Sequence, residues 1–161
     1  MSVNMQSVEA VRVTGQSERF WEDLAEGSLL RGPGITISEA HLVNWAGLTG
    51  DWVSLHLDEQ YAAGTRFGQR IAHGPLTLSL ALGLMTQTGY FGNVVAWLGL
   101  DDVRATAPVH IGDTVRPEAE VAATRRSSSS SQGIWTLAYR VVNQNSDVVM
   151  TFRSSFMIRC R

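Results

Sequence analysis

With 161 residues, 44% of them hydrophobic and 17% charged, the chain has enough apolar content to bury a sizeable core and reads as one soluble globular domain. A net charge of −2 removes the electrostatic reason to expect nucleic acid or an anionic membrane as a partner. All thirteen basic residues are arginine, which excludes Schiff-base chemistry, a lysine-anchored pyridoxal cofactor and a P-loop.

Residues 1–17 are polar and weakly patterned, as expected of a loose arm, and 18–161 are expected to form the domain. The N-terminus lacks the basic and apolar regions of a secretion signal, and the single Cys160 excludes an intrachain disulfide, so a cytoplasmic protein is expected. Segment 18–24, with adjacent Phe20 and Trp21, suits a short helix or an entry loop. Gly32-Pro33-Gly34 breaks any long element there, while Ile35-Thr36-Ile37 reads as a strand. Ser38 suits the N-cap of a helix over 39–48 with Leu42, Trp45 and Ala46 on one face, ended by Gly47 and Gly50. Asp58 is placed to cap a short helix over 59–63, and 65–72 is a loop.

From Pro75 to about Thr88 the residues favour a helix without a clean polar face, the pattern of a helix buried by its surroundings. Its apolar run, 76–85, is too short to cross a bilayer. Four segments then read as strands: 94–100, 113–124, 133–143 and 147–159. Trp135, Leu137, Tyr139 and Val141 share one face of the third, and Gln144-Asn145-Ser146 suits a hairpin turn. Segment 125–133, rich in serine, reads as a long mobile loop. One buried helix followed by four antiparallel strands packs most economically as a sheet curled around that helix, an α+β arrangement.

The chemistry-bearing residues sit between 47 and 84. Gly50 introduces a bend, so Asp51 and His56 are expected on an irregular segment rather than a helix face. Pro75 suits a first helical turn, which leaves the N–H groups near Gly74 free for an oxygen carrying developing negative charge. A carboxylate, an imidazole and a backbone oxyanion site are the parts of acid–base chemistry on a carbonyl compound. His73 reads as a turn-shaping residue, and His41 and His110 as surface or packing residues. No set of side chains has metal-ligand spacing, and Ser79 lies in no nucleophile elbow. Arg66 and Arg70 stand between the two halves of the motif.

Gly50-Asp51 followed by His56, and then Ile71-Ala72-His73-Gly74 with Leu76, resemble the MaoC-like dehydratases, the (R)-specific enoyl-CoA hydratases of the hot-dog fold. The resemblance extends from about Phe20 to Arg159. Val53 and Ser54 depart from it, standing where the family has Asn and Pro. The resemblance implies a hot-dog domain, a sheet wrapped around a long central helix. It also implies reversible hydration of 2-enoyl thioesters of CoA or a carrier protein, without metal or redox cofactor. Asp51 would be the general base, His56 would hold the water and handle the second proton, and the Gly74 N–H would face the enolate oxygen. Arg66, Phe67 and Arg70 would meet the substrate, with the arginines near a CoA phosphate. A homodimer joined through sheet edges is implied too. A thioesterase on the same fold, or a catalytically weak acyl-CoA-binding or partner subunit, are the competing readings.

Overall fold

The computed structural model describes residues 19–128 and 131–161, so the expected arm at 1–17 lies outside the described residues. A 3-10 turn at Trp21–Asp23 precedes two short strands, β1 (Leu29–Arg31) and β2 (Ile35–Thr36). Helices α1 (Glu39–Thr49), α2 (Ser54–Leu57), α3 (Glu59–Ala63) and α4 (Gly74–Thr86) follow. The chain then runs through β3 (Val94–Ala105), β4 (Thr114–Arg126), β5 (Gln132–Val142) and β6 (Val148–Arg159). The paired strands are antiparallel in the order β1-β4-β5-β6-β3, and β2 adds to β4 beyond that path.

The inward faces of β4, β5 and β6 form the floor on which α4 lies. Val115, Ala119, Val121, Leu137, Tyr139, Val141, Phe152 and Ile158 are buried there, together with Leu76, Ala81 and Met85 of α4. Each large aliphatic side chain sealed this way contributes about 1.5–3 kcal/mol, enough to hold α4 without any strong amphipathic pattern of its own. The helix is buried on one side only: Pro75, Ser79, Gly83 and Thr86 are exposed, while Leu78, Leu80 and Leu82 are half-buried. The expectation of burial all round is corrected accordingly.

Local chemistry accounts for the other elements. Ser38 N–H donates to Nδ1 of His41 at 2.9 Å, so His41 helps to start α1. Gly50 closes α1 at φ +77°, a conformation that favours glycine, and donates its N–H to the Ala46 carbonyl. Asp58 caps α3 as expected, its Oδ1 accepting the Tyr61 N–H at 3.0 Å. Two expectations shift. Strands β4 and β5 extend to Arg126 and from Gln132, with Arg126 opposite Gly133, which shortens the expected 125–133 loop. And 29–31, unassigned from sequence, pairs with β4.

The entry segment locks onto the sheet through two tryptophans. Trp21 Nε1–H donates to the Ile134 carbonyl at 3.3 Å, and Trp135 Nε1–H donates to the Trp21 carbonyl at 3.0 Å. The Trp21 ring lies on Gly133, where an added Cβ would come within 2.4 Å of it. Gly133→Ala is therefore expected to lower stability by about 1–3 kcal/mol by overpacking. Gly47→Ala, in α1 with no atom within 4 Å of the new methyl, is expected to raise it by roughly 0.5–1 kcal/mol. Thermal denaturation of the two variants against the parent measures both signs.

Candidate active site

Three short pieces of chain meet at the N-terminus of α4. The first is the turn after α1, where Gly50 releases the helix and Asp51 follows in irregular backbone. The second is α2, a single helical turn that carries His56, so His56 is helical and not, as expected, on the irregular segment. The third is Ile71 to Gly74, anchored by an isolated bridge between Ile71 and His110 and by the Ala72 N–H to the Val109 carbonyl at 2.7 Å.

These pieces bring Asp51, His56 and His73 together. A carboxylate oxygen of Asp51 and one ring nitrogen from each histidine lie within 4.8 Å of one another. His56 Nδ1 is 2.7 Å from the Ile71 carbonyl, an acceptor only, so Nδ1 carries the proton and the neutral ring keeps an unprotonated Nε2. His73 is fully buried, and its Nε2 is 3.1 Å from the Asp51 carbonyl, so Nε2–H is the donor there. The two imidazoles stack with centroids 3.9 Å apart at an interplanar angle of 30°. Burial holds the His73 pKa below the ordinary imidazole value against the opposing pull of the Asp51 carbonyl, and the neighbouring His56 lowers it further. Nδ1 of His73 has no hydrogen-bond partner among the described residues.

The clustered donors raise the question of a metal. One carboxylate and two imidazoles are a common ligand set for a divalent ion. Here the two rings are stacked, and Nδ1 of His56 and Nε2 of His73 each face a backbone carbonyl, which leaves His56 Nε2 and His73 Nδ1 as the nitrogens open to an ion.

His56 and Gly74 line a cleft of about 240 Å³, walled by Ile71, Thr77, Val109 and Met150, with Arg66 and Phe67 also on its wall. Gly74 is the first residue of α4, with His73 as its N-cap and Pro75 behind it. Its N–H has no acceptor within the helix and lies at the positive end of the dipole. A Cβ built on Gly74 would meet no atom within 4 Å, so the missing side chain leaves open space at the cleft. A larger cleft of about 830 Å³ shares no residue with this one; it spans β1, β4, β5 and β6 around Arg31, Glu118 and Arg140. It contains no histidine, and Glu118 in it is committed to Arg140 and Arg31 at 2.8 and 2.9 Å. The smaller cleft brings His56 together with the start of α4 at Gly74, while Asp51 does not line it and reaches it only through its approach to His56.

The expected substrate contacts divide. Arg66 and Phe67 line the cleft, the guanidinium 4.8 Å from the Phe67 ring centroid. Arg70 does not line it: it is held by Glu39 of α1 at 2.8 Å and Glu59 of α3 at 3.9 Å. With its guanidinium occupied by two carboxylates, Arg70 is a strut between helices. His73 is the residue underrated from sequence. Its place immediately before Gly74 was visible, but the contacts to Asp51 and His56 join positions 22 and 17 residues away, which only folding brings near.

Comparison with known proteins places the chain in a family. The MaoC like domain family matches residues 22–143. The (R)-specific enoyl-CoA hydratase of Aeromonas caviae is 36% identical over 112 residues, covering 70% of this chain and 79% of that protein. Protein MaoC of Klebsiella aerogenes is 37% identical over 98 residues, 61% of this chain, but the chain spans only 29% of its length. A conserved hypothetical protein of Mycobacterium tuberculosis with a double hot-dog fold superposes with a TM-score of 0.78 at 23% identity. That superposition covers 94% of this chain and 46% of the other, and the fold is hot-dog.

The His73 environment has a consequence for stability. Its pKa is depressed in the folded state, so below the ordinary imidazole value of 6.5 the unfolded chain binds the proton more readily. The contribution of neutral His73 is thus fully present above that pH and is lost progressively as pH falls through and below it. Urea midpoints between pH 8 and pH 5 are expected to decline, and less steeply in His73→Gln.

Proposed function

The chain belongs to the MaoC like domain family, and from that premise we propose that it reversibly hydrates 2-enoyl-CoA thioesters to 3-hydroxyacyl-CoA thioesters. The observation that carries the proposal is the approach of the Asp51 carboxylate to the His56 ring, which itself lines the same cleft as the open end of α4 at Gly74. The family's hydratases and dehydratases act on acyl thioesters, among them the Aeromonas caviae enzyme compared above.

The chemistry runs as follows. Water sits between Asp51 and Nε2 of His56 and attacks the β-carbon of the enoyl group. Asp51 takes a proton from it, while His56 orients it as a hydrogen-bond acceptor. The electron pair of the double bond moves onto the thioester oxygen, which the Gly74 N–H stabilises as an enolate. The acid–base pair then returns a proton to the α-carbon, so the elements of water are added overall and the side chains end as they began. Dehydration is the reverse. Arg66, at the cleft wall with no carboxylate partner among the described residues, is the side chain we assign to the phosphates of CoA.

The long β3, at the end of the sheet order, supports a homodimer joined edge to edge. It exposes Val95, Trp97, Leu98 and Val103 along an unpaired ladder. Trp97 is fixed there by its Nε1–H to Ser154 Oγ at 2.9 Å.

Incubation with crotonyl-CoA tests the reading: enoyl absorbance is expected to fall without release of free thiol, whereas thiol release would indicate a thioesterase. Asp51→Asn is expected to lower kcat/KM by about 10²–10⁴-fold. Absence of turnover in the parent would favour a non-catalytic acyl-CoA-binding role. Gly74→Val is expected to fold like the parent, because no protein atom opposes its Cβ, and yet to lose most activity by filling the cleft.

A further inference from the structure

We propose that His73 is a positioning residue: its Nε2–H ties the Asp51 backbone to the base of α4, beside the His56 ring. The inference rests on the reading of Asp51 and His56 as the acid–base pair, and it adds a reason why that pair can hold its geometry.

The segment from Gly50 to Ser54 has few anchors of its own. Trp52 and Val53 are exposed, at 62% and 55%, so neither is packed into the core. The Asp51 N–H reaches only the Thr49 hydroxyl, at 3.3 Å on the surface. Val53 is the N-cap of α2 and offers no side-chain acceptor to the turn, so α2 begins without the usual capping bond. The Asp51 carbonyl, by contrast, receives its hydrogen bond from a fully buried ring. That ring belongs to the residue directly before Gly74, and its own carbonyl accepts the Thr77 N–H at 3.1 Å in the first turn of α4.

His73 therefore joins the base, the imidazole and the backbone donor through three separate contacts. A purely space-filling role is poorly served by histidine at a site this buried. Nδ1 has no protein partner among the described residues, and a leucine or methionine would fill the space without any polar group to satisfy. What histidine adds there is the Nε2–H bond.

The test compares His73→Gln with His73→Met, side chains of nearly equal length of which only glutamine can donate to the Asp51 carbonyl. With crotonyl-CoA, His73→Gln is expected to keep kcat within about fivefold of the parent, and His73→Met to lose roughly 100-fold in kcat with little change in KM. Adding Val53→Asn, which supplies the missing cap to the same turn, is expected to recover part of the loss in His73→Met. Amide hydrogen exchange at Trp52, His56 and Asp58 is expected to speed up in His73→Met and not in His73→Gln, a readout that holds even if no turnover is found. Equal losses in the two variants, or parental kcat and exchange in His73→Met, would overturn the proposal. If His73→Met does not fold, the parent decides: imidazole nitrogen shifts must report the Nε2–H tautomer at His73, and the Nδ1–H tautomer refutes the assignment. Failure of Asp51→Asn to affect turnover would instead refute the hydratase reading and leave the exchange result standing.

Discussion

The start of α4 is the constraint on which the remaining structure depends. A helix opens with N–H groups that no carbonyl of its own can satisfy, and burying them without partners is costly. Here the helix is pressed onto the sheet by Leu76, Ala81, Leu84 and Met85, so its position is fixed by core packing. Its first residue is nevertheless left at a cleft, with no side chain to cover it. The donor is thus held in place by core packing.

Around that fixed point the reactive side chains are borne by weak elements. Asp51 sits in irregular backbone and His56 on one helical turn. Functional groups commonly sit on loops over a rigid scaffold, but a loop must then be tied down. The ties here are hydrogen bonds to backbone carbonyls: His56 to Ile71, and His73 to Asp51. Both fix a tautomer as well as a position, since a carbonyl can only accept. Arg70 braces the same region from outside by spanning Glu39 and Glu59.

The sheet is shaped to suit this arrangement. Strand β3 departs from regular register at three places along β6, between Val94 and Ala96, Trp97 and Gly99, and Asp101 and Arg104. Such bulges bend and twist an edge strand. The middle one is held by a half-buried polar link, Trp97 to Ser154 and Ser154 to the Gly99 carbonyl at 3.2 Å. Bulges are one of the ways an exposed edge is kept from pairing with any other exposed strand.

The sequence alone determined the elements whose signals are local. The cap at Asp58, the glycine stop at Gly50, the helix opening at Pro75 and the alternation from Trp135 to Val141 each depend on neighbours a few residues away. The spacing of Asp51, His56 and Gly74 was legible for the same reason, as a pattern within one short stretch. Tertiary structure decided what depends on distant contacts. It withdrew Arg70 from the cleft by supplying two carboxylates, left one side of α4 uncovered, and paired β1 with β4 although its three residues carry no strand signal of their own. It also set His73 against Asp51 and His56. A side chain's hydrogen-bond partner and its burial depend on the whole packed chain, and neither is encoded in the residues beside it.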